Sequence, residues 1–433
     1  MLLYFLVKNY RSFRDEAVLD LEAVKLKDST DILLPNNGTE YLPSIAIYGK
    51  NGGGKSNLVR AMWLAVQFIC NAQKTQTEKA PVPVRPFALN DYSKKEPTAF
   101  EFGYIQEGIK YVYGFSATRE RIETEYLKSW PNGKEKKIFS RTIDGFDFPK
   151  DNEKRKKEMI AEAVGSNQLF FAISCTMNYQ PCIDAMQWFR EKIVFSRDYT
   201  DINRSLLDYG EDEAMLQAIV SAAKTADVGI QDMNFEIDNQ VLDLNSNKDF
   251  PEEIQGMVAA LRAFNEALRQ NGNEAEIQLA GGKLKSTTYH SGTTKDGQTM
   301  SFELSLSDES DGTRRLMTLA PAIEKTLKNG GVLVVDELEK ELHIKLMEYV
   351  INRYHNHVSN PHGAQLIFTT HETALLYQEI LRRDQIYFVD KDNQDGASVL
   401  YSLADFNIRN DMNIRKAYLL GKFGAVPSIE EVY

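Results

Sequence analysis

Ser44-Ile45-Ala46-Ile47-Tyr48-Gly49-Lys50-Asn51-Gly52-Gly53-Gly54-Lys55-Ser56-Asn57 is the stretch from which the fold follows. It opens as an apolar run of strand length and continues, through Leu58-Val59-Arg60-Ala61-Met62-Trp63-Leu64, as a helix. Between them stands a glycine-rich loop closed by Lys-Ser. Glycines let the backbone curl until successive N–H groups face one anion, and the following helix adds the positive end of its dipole. The pattern predicts a P-loop in which Gly49, Lys50, Asn51, Gly52, Gly53, Gly54, Lys55, Ser56 and Asn57 hold the phosphates of ATP. Lys55 reaches the β- and γ-phosphates and Ser56 offers its hydroxyl to Mg²⁺. Without a ligand, the Lys55 side chain is expected to face solvent. A chance Gly-rich turn would lack the strand before it and the helix after it.

Far downstream, Gly330-Gly331 precede the unbroken aliphatic run Val332-Leu333-Val334-Val335, which ends in Asp336-Glu337. Such a run reads as a buried parallel strand. Carboxylates at its C-terminal end fall in the crevice where open α/β sheets bind ligands, so Asp336 is expected to hold Mg²⁺ through water and Glu337 to polarise an attacking water. A third strand, Gln365-Leu366-Ile367-Phe368, leads into Thr369-Thr370-His371-Glu372, which puts His371 within reach of the γ-phosphate or of that water. A histidine that merely caps a strand-to-helix turn is the structural alternative. In Glu309-Ser310-Asp311-Gly312-Thr313-Arg314-Arg315, Ser310 and Gly312 stand at a helix start and make a second anion nest. Nothing in the spacing says that this nest serves the same nucleotide.

That last step comes from a resemblance. A Ser-x-Gly-Thr before a helix, an Asp-Glu Walker B pair after it and a Thr-Thr-His switch resemble the ABC-type ATPase class, which includes structural-maintenance-of-chromosomes, MutS-like and OLD-type ATPases. The resemblance implies an α/β ATPase head with a flanking antiparallel sheet, in which Ser310 and Gly312 of one subunit close over the ATP held by another. Val7-Lys8-Asn9-Tyr10-Arg11-Ser12-Phe13 and Tyr418-Leu419-Leu420-Gly421-Lys422-Phe423-Gly424-Ala425-Val426-Pro427, together with the signature around Ser310, narrow it to the bacterial abortive-infection ATPases, AbiL-like or RloA-like. It covers roughly residues 1–65 and 300–430 well. It implies a homodimer or higher homo-oligomer, a separate nuclease or toxin as effector, anti-phage defence, and DNA or a phage protein as trigger. Two departures stand out: Glu339 replaces the more usual aspartate after the Walker B acids, and no glutamine fits the Q-loop clearly, Gln67 and Gln106 being no more than candidates.

Composition agrees with a globular machine of two lobes: 433 residues, 42% hydrophobic and 26% charged. Cys70, Cys175 and Cys182 cannot all pair and suit neither zinc nor a disulfide framework, so they read as reduced core thiols. Leu2 to Val7 is too short for a membrane span and carries its cations after it, unlike a signal peptide; it reads as a first strand of a cytoplasmic protein. A net charge of −11 argues against coating nucleic acid with the whole surface. Gly133 to Lys137 and Lys150 to Lys157 are basic clusters that read as solvated surface or as a docking place for nucleic acid or an acidic protein. His355, His357 and His362 have no carboxylate or thiol at ligand spacing, so a metal reading is weak.

Far more chain separates Ser56 from Ser310 than one crossover needs. The lobes are therefore drawn as 1–130 (P-loop and antiparallel sheet), 131–285 (an inserted, mainly helical subdomain) and 286–433 (signature, Walker B and His371). Phe100 to Ser116 alternates as a hairpin about Glu107-Gly108, while Ile254, Met257, Val258, Leu261, Phe264 and Leu268 fall at helical spacing. No heptads persist, so a long coiled-coil arm is not expected. Asp390-Lys391-Asp392 could suggest a fused Toprim-type nuclease, but the chain after His371 is shorter than a small domain of about 100 residues. Asn393-Gln394-Asp395-Gly396 reads instead as a hairpin tip. Two other functions stay open: a DNA-repair or recombination ATPase acting on DNA ends, and a nucleotide-locked scaffold that does not hydrolyse.

Overall fold

The computed structural model describes residues 1–26, 28, 30–75, 80–198, 202, 212–227, 229–242, 258–266, 279–377, 380–409 and 412–427. The chain divides into two compact units, Met1–Thr200 with Thr318–Tyr433, and Asp201–Met317.

The first unit holds two large sheets. One runs Ile193–Phe195, Val332–Val335, Gln365–Thr369, Ser44–Tyr48, Ile386–Lys391, Ser398–Ser402 in spatial order. Its first five strands are parallel and the last turns back antiparallel. The P-loop strand thus sits at the centre, beside the strand that leads to His371, which in turn adjoins the Asp336 strand. All residues of these three strands are buried, the burial expected of a covered parallel sheet. After Gly54 the helix Lys55–Thr75 begins, with Leu58, Ala61, Met62, Ala65, Val66 and Ile69 buried at the i, i+3, i+4 spacing of one helix face.

The other sheet is antiparallel, in the order Gly145–Asp147, Lys136–Thr142, Ile122–Trp130, Ile109–Ala117, Thr98–Gln106, Leu2–Lys8, Ala17–Asp20. The expected hairpin is present, turning at Glu107 (φ 50°) and Gly108 (φ 75°). The strand Leu2–Lys8 likewise forms as expected. Asp390 and Lys391 close the strand Ile386–Lys391, which pairs back with Ser398–Ser402, so the Asp-Lys-Asp run is hairpin chemistry.

The second unit carries a three-stranded antiparallel sheet, Ile230–Leu242, Leu279–Thr293 and Thr299–Ser305, and the helix Glu213–Ala226. Here the domain reading needs correcting: residues 131–285 do contain helices, but they do not separate as one subdomain. Residues 136–195 belong to the first unit, because aromatic packing fixes their helices to the antiparallel sheet. Phe170 lies 4.6 Å from Phe139, and Trp188 stacks on Tyr104 at 4.8 Å between centroids. Of the apolar set at helical spacing, residues 258–266 are helical with Val258 buried and Phe264 exposed; Ile254, Met257 and Leu268 lie outside the described residues.

The cysteines are free, with Cys175 and Cys182 buried. His355 is buried among Ser44 and Gln385, a core histidine. The cluster at 150–157 is not all solvated: Lys157 is fully buried, with its ammonium 2.8 Å from Asp151 Oδ2. Among the described residues no helix is long and apolar enough to cross a membrane.

Candidate nucleotide site

The P-loop is shaped by what its glycines leave out. A Cβ on Gly49 would stand 2.4 Å from Val389 O, and one on Gly54 (φ +122°) would stand 2.5 Å from Ser398 Oγ and 2.9 Å from Ser12 Oγ. Only glycine permits these approaches. The loop is also tied from outside: Ser398 Oγ donates to Gly53 O (2.6 Å), Asn57 Nδ2 donates to Ser12 Oγ (2.9 Å), and Lys50 Nζ donates to Lys391 O (2.8 Å) and pairs with Asp390 (3.2 Å). The β-hairpin at 386–402 therefore braces the loop, a function no sequence motif announced. Gly52 is open, with nothing within 4 Å of an added Cβ.

Lys55 corrects one expectation. Its side chain does not face solvent: the residue is 5% exposed, and Nζ donates to Gly49 O (2.8 Å), Lys50 O (3.4 Å) and His371 Nε2 (2.8 Å). An ammonium has three N–H groups, and here each has an acceptor. Burial lowers its pKa from the ordinary lysine value, an effect opposed by the Glu339, Asp336 and Glu337 carboxylates. For Lys55 to donate, His371 Nε2 must accept, so the imidazole is neutral with its proton on Nδ1. Burial first and Lys55 second hold His371 below the usual histidine pKa, against Glu339 and Glu337.

Asp336 meets the P-loop directly. Its Oδ1 accepts from Ser56 Oγ (3.1 Å) and from Thr369 Oγ1 (2.7 Å). Glu337 is exposed beside it, in a left-handed conformation (φ 55°). Glu339 Oε1 accepts from His371 N (2.7 Å), while its Oε2 is buried with no hydrogen-bond partner among the described residues. The turn after His371 is capped by Glu372, whose side chain accepts from Ala374 N, so His371 is not the capping residue.

The predicted residues Gly49 to Asn57, Asp336, Glu337 and His371 all lie in the first unit. Ser310 and Gly312 lie in the second. There Ser310 Oγ accepts from Thr313 N (3.1 Å), capping the helix Asp311–Asn329, and the preceding Glu309 is buried against His290 Nε2 (2.8 Å) and Thr288. Neither glutamine candidate ends a parallel strand: Gln67 is on the P-loop helix, and Gln106 ends an antiparallel strand and donates to Gln187 at 3.5 Å. The strand beside that of Asp336 is Ile193–Phe195, in parallel register with Val332–Val334, and it delivers Ser196 and Arg197. With Arg60, Val334 and Asp336 they line a cavity of about 180 Å³, the Arg197 guanidinium lying 4.1 Å from the Trp63 ring centroid. The signal was a three-residue apolar run, too short to read.

The donors suit Mg·ATP. A hydroxyl and a carboxylate converge as hard oxygen ligands, a lysine stands at the loop, and the open backbone faces outward at Gly52.

Residues 44–376 match the family described as "AAA domain, putative AbiEii toxin, Type IV TA system". No curated protein sequence matches the chain. Among solved structures, similarity extends to the SMC head domain from Thermotoga maritima (14% identity, TM-score 0.38, covering 93% of this chain and 98% of that one). It extends also to an SMC head bound to the C-terminal winged-helix domain of ScpA (14%, TM-score 0.41, 93% and 97%). A third is the recombination mediator RecF with ATP (12%, TM-score 0.37, 93% and 99%).

Proposed function

The chain belongs to the AAA-domain family of the AbiEii type, and we propose that it is a Mg²⁺-dependent ATPase, acting as a dimer, that controls a separate nuclease or toxin in anti-phage defence. One observation carries the enzymatic part: Ser56 and Asp336, distant in sequence, stand 3.1 Å apart beneath a braced P-loop whose lysine contacts His371. Ser56 and Asp336 would hold the cation, and the backbone N–H groups of 49–57 with Lys55 would hold the phosphates. When bound, Mg·ATP supplies the phosphoanhydride that is split.

Glu337, exposed at the end of its strand, takes the proton of an attacking water. His371 orients that water or the γ-phosphate side of the site. Lys55 must let go of His371 Nε2 to reach a phosphate, so nucleotide arrival frees the imidazole for this task. Ser310 and Gly312 of a second copy complete the site. The family's toxin–antitoxin description and the abortive-infection resemblance of both chain ends support the defence reading and an AbiL-like or RloA-like assignment.

The test is turnover by wild type against Glu337→Gln. The variant is expected to bind ATP and Mg²⁺ like wild type while hydrolysing roughly 10² to 10⁴-fold more slowly, the usual contribution of a general base. Near-normal turnover in the variant would remove Glu337 from that role, with His371 next in line.

A further inference from the structure

The two Walker B acids end one strand, yet what orients both of them sits on its neighbour. Thr369 is fully buried, in register with Ile47 of the P-loop strand on one side and continuing past Phe368, the partner of Val335, on the other. Its Oγ1 accepts from Glu337 N at 2.7 Å and contacts Asp336 Oδ1 at 2.7 Å. A hydroxyl has a single proton. Because the Glu337 N–H already points at the oxygen, that proton goes to the carboxylate. The relay therefore has one sense: Glu337 N–H to Thr369 Oγ1–H to Asp336 Oδ1. Leu338 N adds a bond to Thr369 O at 3.1 Å, so the left-handed turn at Glu337 is held through two successive N–H groups. A non-glycine residue held there is strained and needs such support.

We propose that Thr369 is a positioning residue for ATP hydrolysis, its hydroxyl locking Asp336 Oδ1 toward Ser56 so that Oδ2 is left for the cation, while its two oxygens fix the backbone from which Glu337 reaches its water. The inference rests on the ATPase reading above. Two residues later comes His371, so one strand end sets the metal carboxylate, the base and the switch histidine together. Serine keeps this hydroxyl; valine keeps the shape and removes it.

Thr369→Val and Thr369→Ser are compared with wild type for Mg²⁺-dependent turnover and for binding of a fluorescent ATP analogue. Loss of a group that orients a metal ligand costs about 10 to 100-fold in metal affinity or activity. Thr369→Val is expected to lose about that much kcat and to need more Mg²⁺ for half-maximal rate, while analogue binding without Mg²⁺ stays within about twofold and Thr369→Ser stays near wild type. If Thr369→Val does not melt cooperatively, Thr369→Ala takes its place. Wild-type kcat and Mg²⁺ dependence in the hydroxyl-free variant, or equal impairment of the serine variant, would overturn the proposal while leaving the ATPase intact. Absence of ATP binding and turnover in wild type would instead overturn the ATPase reading, and this proposal with it.

Discussion

Lys55 directs all three of its N–H groups at protein acceptors, and this changes what its removal should do. In Lys55→Ala the β- and γ-phosphates lose their ammonium, and nucleotide binding is expected to vanish in a titration with labelled ATP. Gly49 O, Lys50 O and His371 Nε2 lose a donor at the same time. Leaving buried polar groups unpaired costs about 1–3 kcal/mol, so the variant should also unfold at lower denaturant than wild type. Freed of the adjacent ammonium, His371 should titrate closer to the ordinary histidine value, which NMR of the ring protons would read. Unchanged affinity in a folded variant would sink the P-loop reading.

At the scale of elements, the parallel sheet is tied together at the ends of its strands opposite the P-loop by a buried polar group. His355, at the end of the helix Ile344–His355, lies 2.8 Å from Ser44 Oγ and 3.1 Å from Gln385 Nε2, each at the start of or just before a strand. Burial pushes its pKa down to about 4, against an ordinary value near 6.5. Above pH 6.5 both folded and unfolded chains keep it neutral, and the full stability is present. As pH falls from about 6.5 toward 4, the unfolded chain takes up a proton that the fold refuses, so stability drops by an amount on the order of 3 kcal/mol. Denaturation midpoints across that window should show the loss, and His355→Gln should show less of it than wild type. An identical pH dependence in both would contradict the buried neutral histidine. The sheet itself was legible in the sequence wherever a strand was long and apolar and ended in chemistry: Ser44–Tyr48, Val332–Val335 and Gln365–Phe368 read directly, the last extended by one residue, Thr369, in the structure. Ile193–Phe195 was too short to signal, and the brace of Ser398 and Lys50 on the P-loop is made by tertiary contacts that no spacing encodes. Thr369 read only as one of the polar groups that follow the strand and lead to His371; its bonds to both acids exist only once two strands lie side by side. The lobe boundaries were misplaced for a related reason, since the aromatic contacts that draw residues 136–195 onto the antiparallel sheet join positions far apart in the chain.

At the scale of the whole molecule, the loop, the acids and His371 belong to one compact unit and the Ser310-Asp311-Gly312 nest to the other, and the proposed dimer gives that nest a nucleotide to close over. In the single chain Ser310 caps its own helix through Thr313 N, and Glu309 anchors the turn before it. Mixing two inactive variants tests the composite site most directly. Lys55→Ala retains its nest and Ser310→Arg retains its P-loop, so each alone should be inactive. Mixed in equal amounts and allowed to exchange, about half of the dimers pair unlike chains by random association in a two-fold dimer, and each of these holds one intact site. The account predicts recovery to about a quarter of wild-type ATP turnover per chain. Full turnover by Ser310→Arg alone, or a mixture as inactive as its components when tagged unlike pairs are demonstrably present, would contradict it.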